Sequence, residues 1–204
     1  MKRRDLLKTG GAAVALSGSF GTLLQAQDAA IEIPDMILGD ENAPIEVIEY
    51  ASFTCPHCAR FHADVFPKLK ADYIDTGKVR FIYREVYFDR FGLWGSMIAR
   101  CAGADRFFGM SSLIYEKQRE WTASGDPAVV IEELRTLAKT AGMNDATLDA
   151  CMSDADQAQA LVGWYQANAE RDNVTSTPSF LINGENFGNM SYADFQTTLD
   201  EKLG

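Results

Sequence analysis

Two spacings of apolar residues follow one another along this chain, and the change between them predicts its first elements. Residues 45–50 (IEVIEY) carry apolar side chains on both faces, as a central strand flanked by helices does. In residues 58–73 the apolar side chains recur at helical spacing, which predicts a helix, and Pro67 within it predicts a kink. Residues 79–83 (VRFIY) predict a second strand. Together these segments predict a strand–helix–strand unit.

The end of the chain predicts two more strands and a final helix. Residues 179–182 (SFLI) have the composition of a strand, and Asn183-Gly184 is a strong hairpin signal before the returning residues 185–187. Ser191 and Asp194 form a capping box that opens the last helix.

Between these two parts the signals are almost all helical. Asp126 followed by Pro127 predicts the start of one helix, and Asn144 predicts the start of another. The chain is therefore an α/β domain formed by residues 45–89 and 173–204. Residues 90–172 are expected to be an all-helical insertion, and residues 27–44 a linker.

The first 26 residues have the layout of a removable signal peptide. A basic start is followed by a stretch of small and apolar residues from Gly10 to Leu24. Residues 3–8 (RRDLLK) resemble the twin-arginine export motif. We therefore expect an exported, periplasmic protein; the alternative for this segment is a disordered basic tail.

Composition and charge argue against two classes of protein, those that span a membrane and those that bind nucleic acid. The chain has 204 residues, and no apolar run reaches the length of a membrane-spanning helix, so the mature protein is not expected to span a membrane. Its net charge of −10 argues against a nucleic-acid partner, which requires a basic face. In an oxidising compartment its four cysteines are expected to form pairs.

The candidate chemistry lies at the junction between the first strand and the first helix, in Cys55-Pro56-His57-Cys58. A cysteine at a helix N-terminus is favoured as a thiolate, so Cys55 is expected to be the reactive sulfur. Cys58, one turn further on, is expected to be buried and to close the disulfide. Pro56 makes the loop rigid, and His57 is expected to place its imidazole beside the Cys55 sulfur; the alternative is a solvent-facing histidine.

A second candidate element is Thr177-Pro178, just before the strand at residues 179–182. If this peptide bond is cis, the chain turns sharply and Thr177 offers its backbone to an extended substrate lying across the cysteines. Cis bonds occur in only about 5–6% of X–Pro pairs, so the sequence leaves the isomer open.

Residues 47–58 (VIEYASFTCPHC) and 175–180 (TSTPSF) resemble the DsbA family of periplasmic thiol oxidases. The helical insertion also matches that family, and Pro-His between the cysteines distinguishes it from thioredoxins, which carry Gly-Pro. The resemblance implies a thioredoxin-like fold. Thr177-Pro178 would match the family's cis-proline loop, and Glu49 would match a strand carboxylate that assists proton movement at the buried cysteine. On residue chemistry alone, a paired structural carboxylate is an equal alternative for Glu49.

The resemblance further implies that the protein donates its Cys55–Cys58 disulfide to newly exported polypeptides through a mixed disulfide at Cys55. A membrane oxidase of the DsbB type would reoxidise it. No cofactor or metal is expected beyond the redox-active disulfide, and the protein is expected to be a monomer.

This chain departs from the best-known family members at two positions. Those members have valine at the position of Thr177, whereas disulfide isomerases and some other DsbA-like proteins have threonine, as this chain does. An isomerase or reductase therefore stays open as an alternative. Isomerases of this fold usually add an N-terminal dimerisation module, for which residues 27–44 are too few. His62 stands where an acidic residue is common; we expect an ordinary surface residue, with redox tuning as the alternative.

The other two cysteines, Cys101 and Cys151, each lie on the apolar face of a predicted helix. We expect them to form a structural disulfide; the alternative is two separate buried thiols.

An exported metal-binding protein using the CPHC segment is a rival interpretation from another class of function. Its ligands would all lie within one helical turn, and the chain has no second CxxC to supply more. A plain binding domain is also possible, although a disulfide across two residues restrains little chain.

Overall fold

A five-stranded sheet lies at the centre of the protein in a computed structural model that describes residues 31–204. Its strands are β1 (Met36–Leu38), β2 (Ile45–Ala51), β3 (Val79–Glu85), β4 (Ser179–Ile182) and β5 (Glu185–Phe187). Their order across the sheet is β1-β3-β2-β4-β5, with β2 and β3 parallel and the other neighbours antiparallel. The predicted signal peptide, residues 1–26, lies outside the described residues.

Helices cover the sheet and fill the insertion. In the described range they are α1 (Pro56–Asp64), α2 (Phe66–Leu69), α3 (Arg90–Cys101), α4 (Ala104–Glu116), α5 (Gln118–Trp121), α6 (Pro127–Thr140), α7 (Asp145–Met152), α8 (Ala155–Arg171) and α9 (Tyr192–Leu203). A π-helical turn, Lys70–Ile74, follows α2. This order confirms the predicted thioredoxin-like α/β fold with a helical insertion.

The predicted helix starts are where local chemistry places them. Asp126 caps α6 and Asn144 caps α7, each by accepting a backbone N–H bond from the first turn. Ser191 and Asp194 form the predicted capping box of α9. The kink predicted at Pro67 is a break: α1 ends at Asp64 and α2 starts at Phe66, because proline has no N–H to continue the helical bonding.

The segment predicted as a linker, residues 27–44, contains a strand, which corrects that prediction. Within it, β1 pairs with β3 so that Met36 lies opposite Tyr83, and Met36 is buried. Beside it, Asp35 accepts two hydrogen bonds from Arg84, both at 2.9 Å. A strand of three residues carries too little periodicity to be recognised in sequence, and its stability comes from a partner far along the chain.

One hydrophobic core joins the sheet to the insertion. Phe81 and Tyr83 of β3 belong to the same buried cluster as Phe107 of α4 and Leu134 of α6. The rings of Tyr83 and Phe107 lie 5.5 Å apart. The insertion therefore packs as part of the sheet domain's core, and it forms one wall of the site described next.

Candidate active site

Cys55 is held at the start of α1 by the loop that leaves β2. It is the N-cap residue of α1, its own N–H donates to the Ser52 carbonyl at 3.0 Å, and Pro56 takes the first helical position. Proline fits there because the first-turn N–H has no partner within the helix. Cys55 is only 8% exposed, so its sulfur is presented to solvent over a small area.

The surroundings of Cys55 favour its thiolate. A hydrogen bond from the Cys58 thiol is the largest cause that lowers the pKa of Cys55, which falls to about 5 although burial opposes the change. The Thr177 side chain and the backbone N–H groups of Cys58 and His57 lower this pKa further. These donors stabilise the negative charge directly, and the positive end of the α1 dipole acts in the same sense.

Cys58 lies in the opposite environment. It is fully buried, and burial is the largest cause that raises its pKa far above the ordinary value, followed by its hydrogen bond to Cys55 and the charge of Glu49. Both thiols are free in the structure. The pair therefore consists of one sulfur that is a stable thiolate at neutral pH and one that holds its proton.

The Thr177-Pro178 peptide bond, left open by the sequence, is cis. The Thr177 carbonyl oxygen lies 3.5 Å from Cys55 Sγ, and Ser179 begins β4 directly after the loop. The loop and the CxxC segment, more than 100 positions apart in sequence, are thus adjacent.

The His57 imidazole forms its hydrogen bond with Arg60, not with the Cys55 sulfur beside which it was expected. The imidazole is exposed, and its Nδ1 lies 2.7 Å from Nη2 of Arg60. What His57 supplies to Cys55 is its backbone N–H.

Glu49 and His62 form a buried pair beneath the cysteines. Glu49 is fully buried, and its two carboxylate oxygens lie 3.0 and 3.2 Å from His62 Nε2. Because His62 is only 8% exposed and stacks on the Tyr115 ring at 4.3 Å, the expectation of a surface residue is wrong. The sequence held a usable signal: His62 stands four residues from both Cys58 and Phe66, which are buried on the same helical face.

Gln118 is a site residue that the sequence analysis missed. It is buried at the start of α5, and its side-chain amide donates to the carbonyls of Phe53 and Cys55 at 2.8 and 2.9 Å. It therefore fixes the backbone on both sides of Thr54. A glutamine more than 60 positions downstream gives no local sign of this contact.

Helix α3 supports the same loop from its other side. The Asp89 carboxylate accepts from the Thr54 hydroxyl at 2.9 Å and also caps α3 by accepting from Gly92 N–H. A Cβ atom at Gly95 would lie 3.2 Å from Phe53, so glycine is what allows this close approach.

The second pair of cysteines is joined. A disulfide links Cys101 of α3 to Cys151 of α7, which lie 50 positions apart in sequence and have Cα atoms 6.2 Å apart. It lies within the insertion and shares no element with Cys55 and Cys58.

Two negative findings hold for residues 31–204. The structure there contains no group of three or more histidine, cysteine or carboxylate side chains arranged to hold a metal ion. No helix in that range is long and apolar enough to cross a membrane.

Comparison with known proteins identifies a matching family and several similar proteins. Residues 32–201 match a family model described as thioredoxin. A putative protein-disulfide oxidoreductase of Rickettsia bellii is 32% identical over 174 residues, which cover 85% of this chain and 66% of the relative. Disulfide bond formation protein D of Bacillus subtilis is 28% identical over 196 residues, covering 88% of this chain and 83% of that protein.

Solved structures give the same picture. The crystal structure of alpha-DsbA1 from Wolbachia pipientis superposes with a TM-score of 0.77 at 28% identity, covering 85% of this chain and 94% of that one. The Rickettsia relatives are longer than this chain, which spans between 60 and 66% of their lengths.

Proposed function

This chain belongs to the thioredoxin family, and we propose that it is a DsbA-like protein-disulfide oxidoreductase that donates its Cys55–Cys58 disulfide to other proteins. The observation that carries the proposal is the difference between the two sulfurs: the pKa of Cys55 is lowered to about 5, while that of Cys58 is raised. A stabilised thiolate favours the reduced pair and so makes its disulfide a strong oxidant.

The proposed reaction runs through a mixed disulfide at Cys55. A substrate thiolate attacks Cys55 Sγ, a new sulfur–sulfur bond forms, and the bond to Cys58 breaks. A second substrate thiolate then attacks the substrate sulfur, and Cys55 leaves as a thiolate. The substrate is oxidised to a disulfide, and the Cys55–Cys58 pair takes up the two electrons.

Thr177 and Pro178 are proposed to receive the substrate chain. Their loop lies beside Cys55, where the Thr177 carbonyl is 3.5 Å from the sulfur. An extended substrate lying along this loop would bring its cysteine to Cys55. Pro56 and the His57 N–H complete the reactive turn.

The proposed partners follow from the direction of electron flow. Reduced exported polypeptides would be the substrates, and a membrane oxidase of the DsbB type would remove the electrons. Export rests on the signal-like residues 1–26, so a periplasmic location is part of the proposal. A monomer is sufficient for this chemistry, because Cys55 caps α1 and Cys58 lies in its first turn, so one chain supplies both cysteines.

An isomerase or reductase of the same fold is the second candidate, and Thr177 is the observation that favours it. Its side chain is among the causes that lower the pKa of Cys55, so this position affects the reactive sulfur. An isomerase acts on disulfides already formed, whereas a donor acts on free thiols.

The test uses a peptide with two cysteines. We expect the oxidised protein to convert the reduced peptide to its disulfide with one-to-one stoichiometry. When a Cys58→Ser variant is mixed with the oxidised form of the same peptide, we expect a mixed disulfide between Cys55 and the peptide to accumulate. Cys55→Ser is the matched control, since it removes the sulfur that forms the bond. A protein that leaves the dithiol peptide reduced yet rearranges scrambled disulfides would be an isomerase.

A further inference from the structure

The buried Glu49–His62 pair has one polar atom without a partner. His62 Nε2 is hydrogen-bonded to Glu49, but His62 Nδ1 is buried and has no hydrogen-bond partner among residues 31–204. Buried polar atoms are rarely left unpaired, and an exception calls for a bound water or a functional role.

A cavity of about 480 Å³ lies beside this imidazole. His62 and Tyr115 line it together with residues of α1, α2 and α4, and its polar lining also includes Lys70, Ser112 and Glu116. Its volume is enough for several water molecules. Neither cysteine nor the Thr177 loop is among the residues that line it.

The chemistry of Cys58 needs a proton path. When the disulfide opens, Cys58 leaves as a thiolate and must be protonated, because its pKa is raised; when the disulfide closes, the thiol must lose that proton. Cys58 is fully buried, so the proton cannot come directly from solvent. Glu49 is close enough for its charge to act on Cys58.

We propose that His62 carries this proton between Glu49 and the cavity, so that Cys58 exchanges protons through a channel separate from the substrate face. The inference deepens the proposed function and rests on it. On opening, cavity water gives a proton to Nδ1, Nε2 gives one to Glu49, and Glu49 gives one to Cys58 Sγ. On closing, the same transfers run in reverse, so the relay gains and loses no net charge. His62 acts through Glu49 and is a positioning residue.

The groups around His62 fit this path. The titratable side chains that contact the imidazole or line the cavity with it are Glu49 (β2), Tyr83 (β3), Tyr115 and Glu116 (α4) and Lys70 of the π-helical turn. Cys58 (α1) is reached through Glu49, whose charge acts on it. Burial raises the pKa of Tyr83 and Tyr115 well above the ordinary value, and their hydroxyls bond to each other at 2.6 Å. They stay neutral and leave the relay to His62, while Lys70 is paired with Asp75 at 2.6 Å.

The test isolates the step in which Cys58 loses its proton. The Cys55–glutathione mixed disulfide is prepared in acid and brought to neutral pH, and closure is followed as release of glutathione. Two variants remove the relay. His62→Gln keeps an N–H donor for Glu49 but cannot pass a proton on, and His62→Ala opens space for added imidazole. Ser112→Ala is the matched control, because Ser112 lines the same cavity and its hydroxyl donates to the Phe108 carbonyl, away from His62.

We expect His62→Gln to slow closure by about a hundredfold, the lower end of what a positioned proton carrier contributes, and Ser112→Ala to stay within about twofold of the original protein. In His62→Ala, closure should accelerate in proportion to imidazole concentration, which loss of packing alone would not produce. Closure of His62→Gln within about twofold of the original protein, or no response of His62→Ala to imidazole, would overturn the proposal.

Two further measurements keep the result interpretable. If the His62 variants do not fold, Ala63→Leu, at an exposed position on the cavity wall, should still slow closure by displacing water beside His62. Unchanged closure in that variant would count against the channel. Peptide oxidation by the original protein is measured in parallel: its failure would remove the proposed function, whereas unchanged closure in the variants would remove only the relay.

Discussion

Two pairs of cysteines place the same side chain in opposite surroundings. Cys55 and Cys58 stand at the two ends of one helical turn, both free, and the pKa of Cys55 is lowered to about 5. Cys101 and Cys151 stand 50 positions apart on α3 and α7 and are joined. In the first pair, hydrogen bonds donated to the Cys55 sulfur stabilise its thiolate, whereas the second pair joins two packed helices.

The comparison shows that the reactivity of Cys55 comes from the hydrogen-bond donors around its sulfur, and that forming a disulfide does not by itself make a cysteine reactive. A disulfide that closes a long loop restrains the unfolded chain, so it stabilises the fold. One that closes a two-residue loop at a helix N-terminus restrains almost nothing, and its reduced form is stabilised by the thiolate.

Replacing Cys55 should abolish disulfide exchange, while replacing the other pair should not. Cys55→Ser is expected to lose all oxidation of a dithiol peptide, because no other sulfur forms the mixed disulfide. The Cys101→Ser/Cys151→Ser variant should keep a Cys55 that iodoacetamide alkylates rapidly at pH 7. Mass spectrometry measures the oxidation of the peptide in the first case and the alkylation of Cys55 in the second. Slow alkylation in the double variant would show that the two cysteine pairs are not independent.

The same double variant should lose stability. For a loop of 50 positions the chain-entropy relation gives about 4 kcal/mol as the decrease in the free energy of unfolding. Urea denaturation of the double variant against the original protein, both with Cys55 and Cys58 reduced, measures it. An unchanged midpoint would mean that the helices of the insertion are held by packing alone.

Gln118 connects the insertion to the reactive loop, so its loss should affect both regions. Gln118→Leu leaves the Phe53 and Cys55 carbonyls without their buried donor, at a cost of about 2 kcal/mol in the free energy of unfolding. Gln166→Leu, at an exposed position of α8, is the control and should change little. Equal midpoints for the two variants would contradict the role assigned to Gln118.

The stability of the reduced protein should depend on pH through Cys55. Its pKa is about 5 in the folded protein and near 9.0 ordinarily, so the unfolded chain binds one more proton between these values. Stability from this group is therefore complete above pH 9 and is lost as the pH falls to 5, with a slope of at most about 1.4 kcal/mol per pH unit. The burial-raised Cys58 acts only above this window.

Cys55→Ser supplies the reference for that slope. Subtracting its free energy of unfolding from that of the reduced original protein, at several pH values, isolates the contribution of Cys55. A difference that stays constant between pH 5.5 and 8 would mean that the Cys55 pKa is not lowered in the folded state.

Local signals predicted a strand, the reactive turn and several helix starts, and the features that were missed depend on non-local contacts. The strand β2, the caps of α6, α7 and α9 and the CPHC turn each depend on neighbouring residues. β1 depends on pairing with β3, and Gln118 on carbonyls more than 60 positions away. The helical spacing of His62 from Cys58 and Phe66 could have indicated its burial, but its partner Glu49 lies 13 positions away on another element and gives no local sign of the pair.

The most direct test of disulfide donation is the reduction potential of the Cys55–Cys58 pair. Residues 27–204 are equilibrated in glutathione buffers and free thiols are counted, with the Cys101→Ser/Cys151→Ser variant alongside to remove ambiguity. The lowered Cys55 pKa predicts a potential near the oxidising end of the thioredoxin family, about −120 mV. A value near about −270 mV would contradict the account and identify a reductase.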